Sequence, residues 1–206
     1  MNELLRYFPD LTDEQTARFE ALQALYTDWN QKINVISRKD IGNLYTHHVL
    51  HSLAISRALH PVEGTRILDF GTGGGFPGIP LAILWPDCQF HLIDGTGKKI
   101  HVVEEIARAI GLKNVRATHI RGEEEKGQYD FVVSRAVMPL PDLVRIVRKN
   151  VSRSQRNAIA NGVLCLKGGD VSAETAPFKR YIEISELSDW ITDEWFQGKH
   201  LIYLPL

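Results

Sequence analysis

Cysteine is scarce in this chain: Cys88 and Cys165 are the only two among 206 residues. Both sit in apolar, strand-like contexts and read as buried free thiols. That excludes a disulfide-stapled scaffold and points to a reducing cytoplasm. Long apolar runs are missing too. None approaches the ~18 residues of a membrane-crossing helix, and Met1-Asn2-Glu3-Leu4-Leu5-Arg6-Tyr7 lacks the basic-then-apolar order of a secretory signal. Neither charge sign is in excess. The net charge is −1, with 24% charged and 44% apolar residues, so the chain reads as globular, and bulk charge announces no nucleic-acid partner. There is no internal repeat or low-complexity segment. The length suits one domain of ordinary size plus an appendage.

One absence is local. From Leu143 to Gly169 there is no acid, while Arg145, Arg148, Lys149, Arg153, Arg156 and Lys167 are basic. From Asp170 to Gly198 seven acids stand against Lys179 and Arg180. Such asymmetry marks either a phosphate-facing strip or a solvated helix face.

Residues 1–62 read as a helical extension and 63–206 as an α/β domain. Thr12 with Gln15 three residues later forms a capping-box signal. Phe19, Leu22, Tyr26, Trp29 and Ile33 follow at spacings of three and four, a helical apolar stripe. A second helix is expected from Ile41 to Leu59. Beyond Gly64, strands (Arg66–Phe70, Gln89–Asp94, Val115–Ile120, Tyr129–Ser134, Ala160–Leu166) alternate with helices at Gly78–Trp85, Lys98–Ile110 and Leu140 to about Val151. That alternation predicts a parallel sheet with helices on both faces. Tyr181–Leu187 and His200–Leu204 read as a closing antiparallel hairpin at the sheet edge, an ending typical of methyltransferases and unusual for NAD domains.

The run Asp69-Phe70-Gly71-Thr72-Gly73-Gly74-Gly75-Phe76-Pro77-Gly78 lies between the first strand and its helix. Glycines let the backbone turn sharply against a ligand, and the helix start offers free N–H groups. Two cofactors compete for it. Gly73-x-Gly75-x-x-Gly78 with Asp94 about 20 residues on satisfies the dinucleotide fingerprint. Asp69-x-Gly71-x-Gly73-x-Gly75 is the acid-led pattern of S-adenosylmethionine enzymes. The acid favours the second: a carboxylate suits the cationic amino group of methionine and repels a pyrophosphate. Asp94 can accept from ribose hydroxyls in either case.

Trp29-Asn30 with Asn34-Val35-Ile36-Ser37, then His48-x-x-x-Ser52, then Asp69 through Gly78-Ile79-Pro80-Leu81 resembles the glucose-inhibited division protein B family. That family is also called RsmG, the bacterial 16S ribosomal RNA guanine-N7 methyltransferases. Asp94 with Lys98-Lys99, Arg121 with Glu123, Ser134-Arg135-Ala136 and Leu166-Lys167-Gly168 match as well. The likeness covers the chain from about residue 12 to 206. It implies a Rossmann-like class I fold with a mostly parallel seven-stranded sheet. It also implies methyl transfer from S-adenosylmethionine to N7 of a guanine (position 527) in 16S rRNA, on the small ribosomal subunit, its precursor or the naked RNA. The sequence does not fix the oligomeric state; a monomer is the expectation. Carried over by position, the donor contacts would be Gly71, Phe76, Gly122, Glu123 and Arg135. His48 and Arg121 join the basic strip as RNA-facing expectations. Two departures stand out. The family's Arg-His-x-x-Asp-Ser is here His47-His48-Val49-Leu50-His51-Ser52, and Gly122 stands where a small apolar residue is usual.

Guanine N7 carries an in-plane lone pair, so no catalytic base is expected. His47 and His51 have the spacing of a zinc pair, but no further ligand is at hand; a solvated or RNA-facing cluster is the expectation. Arg135 is read as a donor or substrate contact, the alternative being a salt bridge to Asp69 or Asp142. Competing functions are a same-fold methyltransferase acting on a small molecule or protein, and a non-catalytic dinucleotide-binding domain.

Overall fold

The alternating apolar runs build a parallel sheet whose two faces bury different residues. Ile67 and Leu68, neighbours on the first strand, point to opposite faces, as the two-residue period of a strand requires. In the computed structural model, which describes all 206 residues, the strands are β1 (Arg66–Phe70), β2 (Gln89–Asp94), β3 (Val115–His119), β4 (Phe131–Arg135), β5 (Gly162–Gly168), β6 (Glu183–Glu186) and β7 (Lys199–Pro205). Their order in the sheet is β3-β2-β1-β4-β5-β7-β6. The first five are parallel, and β7 runs antiparallel between β5 and β6. The expected edge hairpin is thus present, with turns but no long helix inside it.

The helices are α1 (Asn2–Tyr7), α2 (Asp13–Lys32), α3 (His51–Leu53), α4 (Gly78–Leu84), α5 (Gly97–Ala109), α6 (Leu140–Val147) and α7 (Ser172–Thr175). The capping box forms as read: Thr12 Oγ1 accepts from the Gln15 N–H at 3.2 Å, and Gln15 Oε1 accepts from the Thr12 N–H at 2.9 Å. Phe19, Leu22 and Tyr26 are fully buried. Each such side chain stabilises by roughly 1.5–3 kcal/mol, far more than the exposed Lys32–Asp28 pair on the same helix. Burial, not surface charge, therefore docks α2.

The expected second helix is not regular. Ile41–Asn43 is a 3-10 turn, Leu44–Leu50 winds as a π-helix, α3 follows, and Ala54–Arg57 closes as 3-10. π-turns concentrate at functional sites, and this one carries His47 and His48. One core of 35 buried residues joins α1, α2 and the π-turn to α4, α5 and one sheet face; a second, of 15, lies under α6 on the other. Between β3 and β4 there is only a 3-10 turn, Gly122–Glu124. Both cysteines are buried free thiols, and burial pushes their pKa values up, Cys88 to about 11 and Cys165 to about 12. No helix is long and apolar enough to cross a membrane.

Candidate functional site

Three neighbouring strands, β2, β1 and β4, end in Asp94, in Asp69 one residue before the last, and in Arg135. They share the carboxyl edge of the sheet, where open α/β folds bind ligands. The glycine run turns over this edge in left-handed conformations: φ is +69° at Gly71, +57° at Gly73 and +99° at Gly75. A Cβ added at Gly73 would meet nothing within 4 Å, so this backbone borders open space. The loop is held from both sides. The Gly73 N–H donates to Asp94 Oδ2 at 2.9 Å, while Asp94 Oδ1 accepts from the Thr96 N–H at 2.8 Å. From α2, the Tyr26 hydroxyl donates to the Gly74 carbonyl at 2.6 Å, and its ring stacks on Phe76.

Asp69 is fully buried. Its Oδ2 accepts from the Thr72 hydroxyl at 2.6 Å and the Gly78 N–H at 2.8 Å. Its Oδ1 is buried with no partner. Burial pushes this carboxyl up to about 7, despite those two bonds and the Arg135 charge. Gly78 follows from the same packing, because a Cβ there would stand 2.6 Å from Asp69 Oδ2. An unpartnered carboxylate oxygen beside an open glycine loop is the donor chemistry that a primary ammonium group satisfies.

Arg135 makes neither of the salt bridges considered for it. Its guanidinium lies 5.0 Å from the Phe76 ring centroid and donates to the His47 carbonyl at 3.2 Å and to His48 Nδ1 at 3.1 Å. Burial lowers its pKa to about 10, so it stays charged. The next residue, Ala136, has φ +52°. A non-glycine there is strained, and such strain gathers at functional sites. It turns the chain so that the Val137 side chain lies over Gly71, 2.7 Å from where a Cβ would be. On the far side Gly122 packs flat against Phe70; its own Cβ would stand 1.9 Å from that ring. That contact accounts for glycine at this position. Glu123 and Arg121 beside it are exposed.

The histidines are packed rather than solvated, which corrects the sequence reading. His47 stacks on Trp195 with ring centroids 4.1 Å apart, and His51 is buried edge-on to the same indole. Nearly 150 residues separate them in sequence, so no local pattern shows the contact. Both His47 Nδ1 and His48 Nε2 meet the carboxylate of Asp40, the latter at 2.7 Å. Burial pushes the Asp40 carboxyl up, but hydrogen bonds from His47, His48 and Asn43 outweigh it and hold the group below its ordinary range. His48 is lowered to about 4 by burial and by the Arg135 charge. Sequence reasoning missed Asp40 and Tyr26 as site residues; neither sits in a recognisable motif.

The basic strip is not gathered at this edge. Lys167 Nζ is tied to the Met138 carbonyl at 2.6 Å and to Glu174 at 2.8 Å, its side chain 11% exposed. It is an internal ion pair, not a free cation for phosphate. Arg156 donates to the Glu63 and Gly64 carbonyls at 3.0 and 3.1 Å, just before β1 begins. That places it at the opposite edge of the sheet. Lys149 is bound to the Glu123 carbonyl, and Arg145 pairs with Asp142 at 3.1 Å. Arg148 and Arg153 are exposed.

A family model described as GidB, rRNA small subunit methyltransferase G, matches residues 15–201. The chain belongs to the GidB family. Proteins named ribosomal RNA small subunit methyltransferase G from Bacteroides fragilis and Flavobacterium psychrophilum are 58% and 52% identical to it over 206 residues, covering 100% of this chain and 100% and 98% of theirs. Among solved structures, a precorrin-6y C5,15-methyltransferase from Geobacter metallireducens superposes with a TM-score of 0.55 at 11% identity, covering 83% of this chain and 90% of that one. An rRNA methylase from Streptococcus thermophilus does so with 0.51 at 10% identity, covering 76% and 93%. These distant structures share the fold alone. The chemistry of these residues is compatible with S-adenosylmethionine as donor: Asp69 has a buried carboxylate oxygen without a partner, Asp94 retains lone pairs beyond its two backbone bonds, and Gly73 borders open space.

Proposed function

We propose that this chain methylates N7 of a guanine in the RNA of the small ribosomal subunit. The observation that supports it most is the juxtaposition of Asp69 and Arg135 on adjacent strand ends: a buried anion with a free oxygen beside a half-buried guanidinium with unused N–H groups. Together they suit the ammonium and carboxylate of an amino acid, which the methionine part of the donor carries. Asp94, at the tip of β2, suits a ribose. Gly71, Gly73 and Phe76 belong to the loop between these strand ends, and Gly122 and Glu123, beside Phe70 at the end of β1, would complete the donor contacts. S-adenosylmethionine, when bound, supplies a methyl group on a sulfonium.

The chain's own task is then mainly positional. Guanine N7 has its lone pair in the ring plane and loses no proton, so no side chain need act as a base. The residues around the pocket hold two partners in line and exclude water, which accounts for much of the rate in such reactions. His48 is neutral at physiological pH and already engaged, and Asp69 serves as counter-charge. Exposed Arg121 and Lys98, both just beyond strand ends at the carboxyl edge, are the cations placed to meet an RNA backbone there. Small-subunit RNA from a strain lacking this protein should show one fewer N7-methylguanosine by mass spectrometry, restored by the purified protein with S-adenosylmethionine. An unchanged nucleoside profile would refute the reading.

A further inference from the structure

The site chemistry proposed above leaves Asp40 without a role. It lies in the connection after α2, outside the glycine loop and the strand ends, yet its side chain is wired to the site. Asp40 Oδ2 meets His48 Nε2 at 2.7 Å, and His48 Nδ1 meets an Arg135 terminal nitrogen at 3.1 Å. Arg135 has only donors. His48 Nδ1 must therefore be the acceptor, which leaves the ring proton on Nε2, directed at Asp40. The tautomer is fixed by its two neighbours, and every member of the chain has its partner. Asp40 Oδ1 takes His47 Nδ1 as well. The His47 carbonyl accepts a second Arg135 N–H at 3.2 Å. The guanidinium is thus gripped at two nitrogens by consecutive residues of the π-turn, and its face rests on Phe76.

From this wiring we infer that Asp40, acting through His48, is the positioning residue for Arg135. Its carboxylate fixes the imidazole in the tautomer that accepts from the guanidinium. It also strengthens that acceptor, as carboxylates do for histidines that hold another group through their second nitrogen. Without it the ring is free to turn or change tautomer, presenting an N–H to a cation. Arg135 would then be short of one bond and face a donor. The π-winding of Leu44–Leu50 brings the rings of both His47 and His48 to one carboxylate. Asp40 touches no reacting atom, and the inference rests on Arg135 holding a ligand, as proposed above.

The test compares Asp40→Asn, Asp40→Glu and Arg135→Lys by methylation of small subunits from a strain lacking the protein. Affinity for S-adenosylhomocysteine is measured by calorimetry in parallel, and melting midpoints show that each variant is folded. Asp40→Asn is expected to lower kcat/KM about tenfold or more, the order of one charge-assisted bond. The loss should appear in the same parameter, donor affinity or kcat, as for Arg135→Lys, and Asp40→Glu should recover part of it. In Arg135→Lys protein, adding Asp40→Asn should cost little more, because the two act in series. Additive losses, or a parental rate in a folded Asp40→Asn protein alongside an impaired Arg135→Lys, would overturn the relay and leave the methyltransferase reading intact. If Arg135→Lys itself works at the parental rate, the role given to Arg135 falls, and the relay with it.

Discussion

Asp69 shows how a single residue trades stability for a site. Its carboxyl titrates near 7 in the folded chain because it is buried with one oxygen unpartnered, against about 4 when unfolded. A folded pKa raised above the unfolded one means that stability from this group falls as pH rises from about 4 to 7, and is lowest above 7. Ligand affinity runs the other way, since a cationic amino group needs the anion. S-adenosylhomocysteine should therefore bind about tenfold more weakly for each pH unit below 7, as read by calorimetry from pH 5.5 to 8. Asp69→Asn should flatten that dependence and weaken binding throughout. It should also raise the melting midpoint by a few degrees at pH 8 and hardly at pH 5. A variant that melts lower at pH 8 would show that the buried charge is compensated in the free protein. This acid was legible in the sequence, since it led a glycine run after an apolar strand. Its orphan oxygen was not, since that depends on where Thr72 and Gly78 come to rest. Asp40 was less legible still: its partners lie seven and eight residues on, along a helical path that a regular 3.6-residue period does not describe.

The elements that repeat a simple period were the readable ones. β1 to β5 follow the apolar runs, and α2 begins where Thr12 and Gln15 say it should. What periodicity missed is where elements are joined by contacts distant in sequence, as when Trp195, in the turn before β7, packs on His47 and His51. α2 reaches the glycine loop through Tyr26, whose hydroxyl donates to the Gly74 carbonyl and whose ring stacks on Phe76. This separates two effects that one substitution can test. Thr12→Ala removes the cap and should cost about 1 kcal/mol of stability, as a shift in denaturant midpoint. Tyr26 lies nearly four turns further along, within the fully buried stripe, so donor affinity of the folded variant should equal that of the parent. A weakened affinity would mean that fraying at the start of α2 reaches the glycine loop, and that the helix is less rigid than its burial implies.

Across the whole molecule, charge is divided between the two edges of the sheet, and this decides how RNA can approach. α6 starts just after β4 at the carboxyl edge and runs back about 12 Å over eight residues. The chain then reaches Val151, which bridges to Tyr129 ahead of β4, and Arg156, tied to carbonyls ahead of β1. Arg148 and Arg153 therefore belong to the amino edge. The contiguous basic sequence that suggested a phosphate strip is dispersed: Lys149 and Lys167 reach the carboxyl edge but are tied to the Glu123 carbonyl and to Glu174, while Arg148, Arg153 and Arg156 lie toward the amino edge. A run of like charges in sequence says nothing about facing until the crossover that carries it is placed. Lys98, in the first turn of α5, and Arg121, just after β3, sit at the carboxyl edge instead. If the target guanine enters there, Lys98→Ala with Arg121→Ala should flatten the dependence of log affinity on log salt by about 0.7–0.9 for each phosphate that is no longer neutralised. Arg148→Ala with Arg153→Ala should leave it as in the parent, with S-adenosylhomocysteine affinity unchanged in both. The reverse pattern would move the RNA to the amino edge, so that only a substrate long enough to wrap from there to the donor pocket could be methylated.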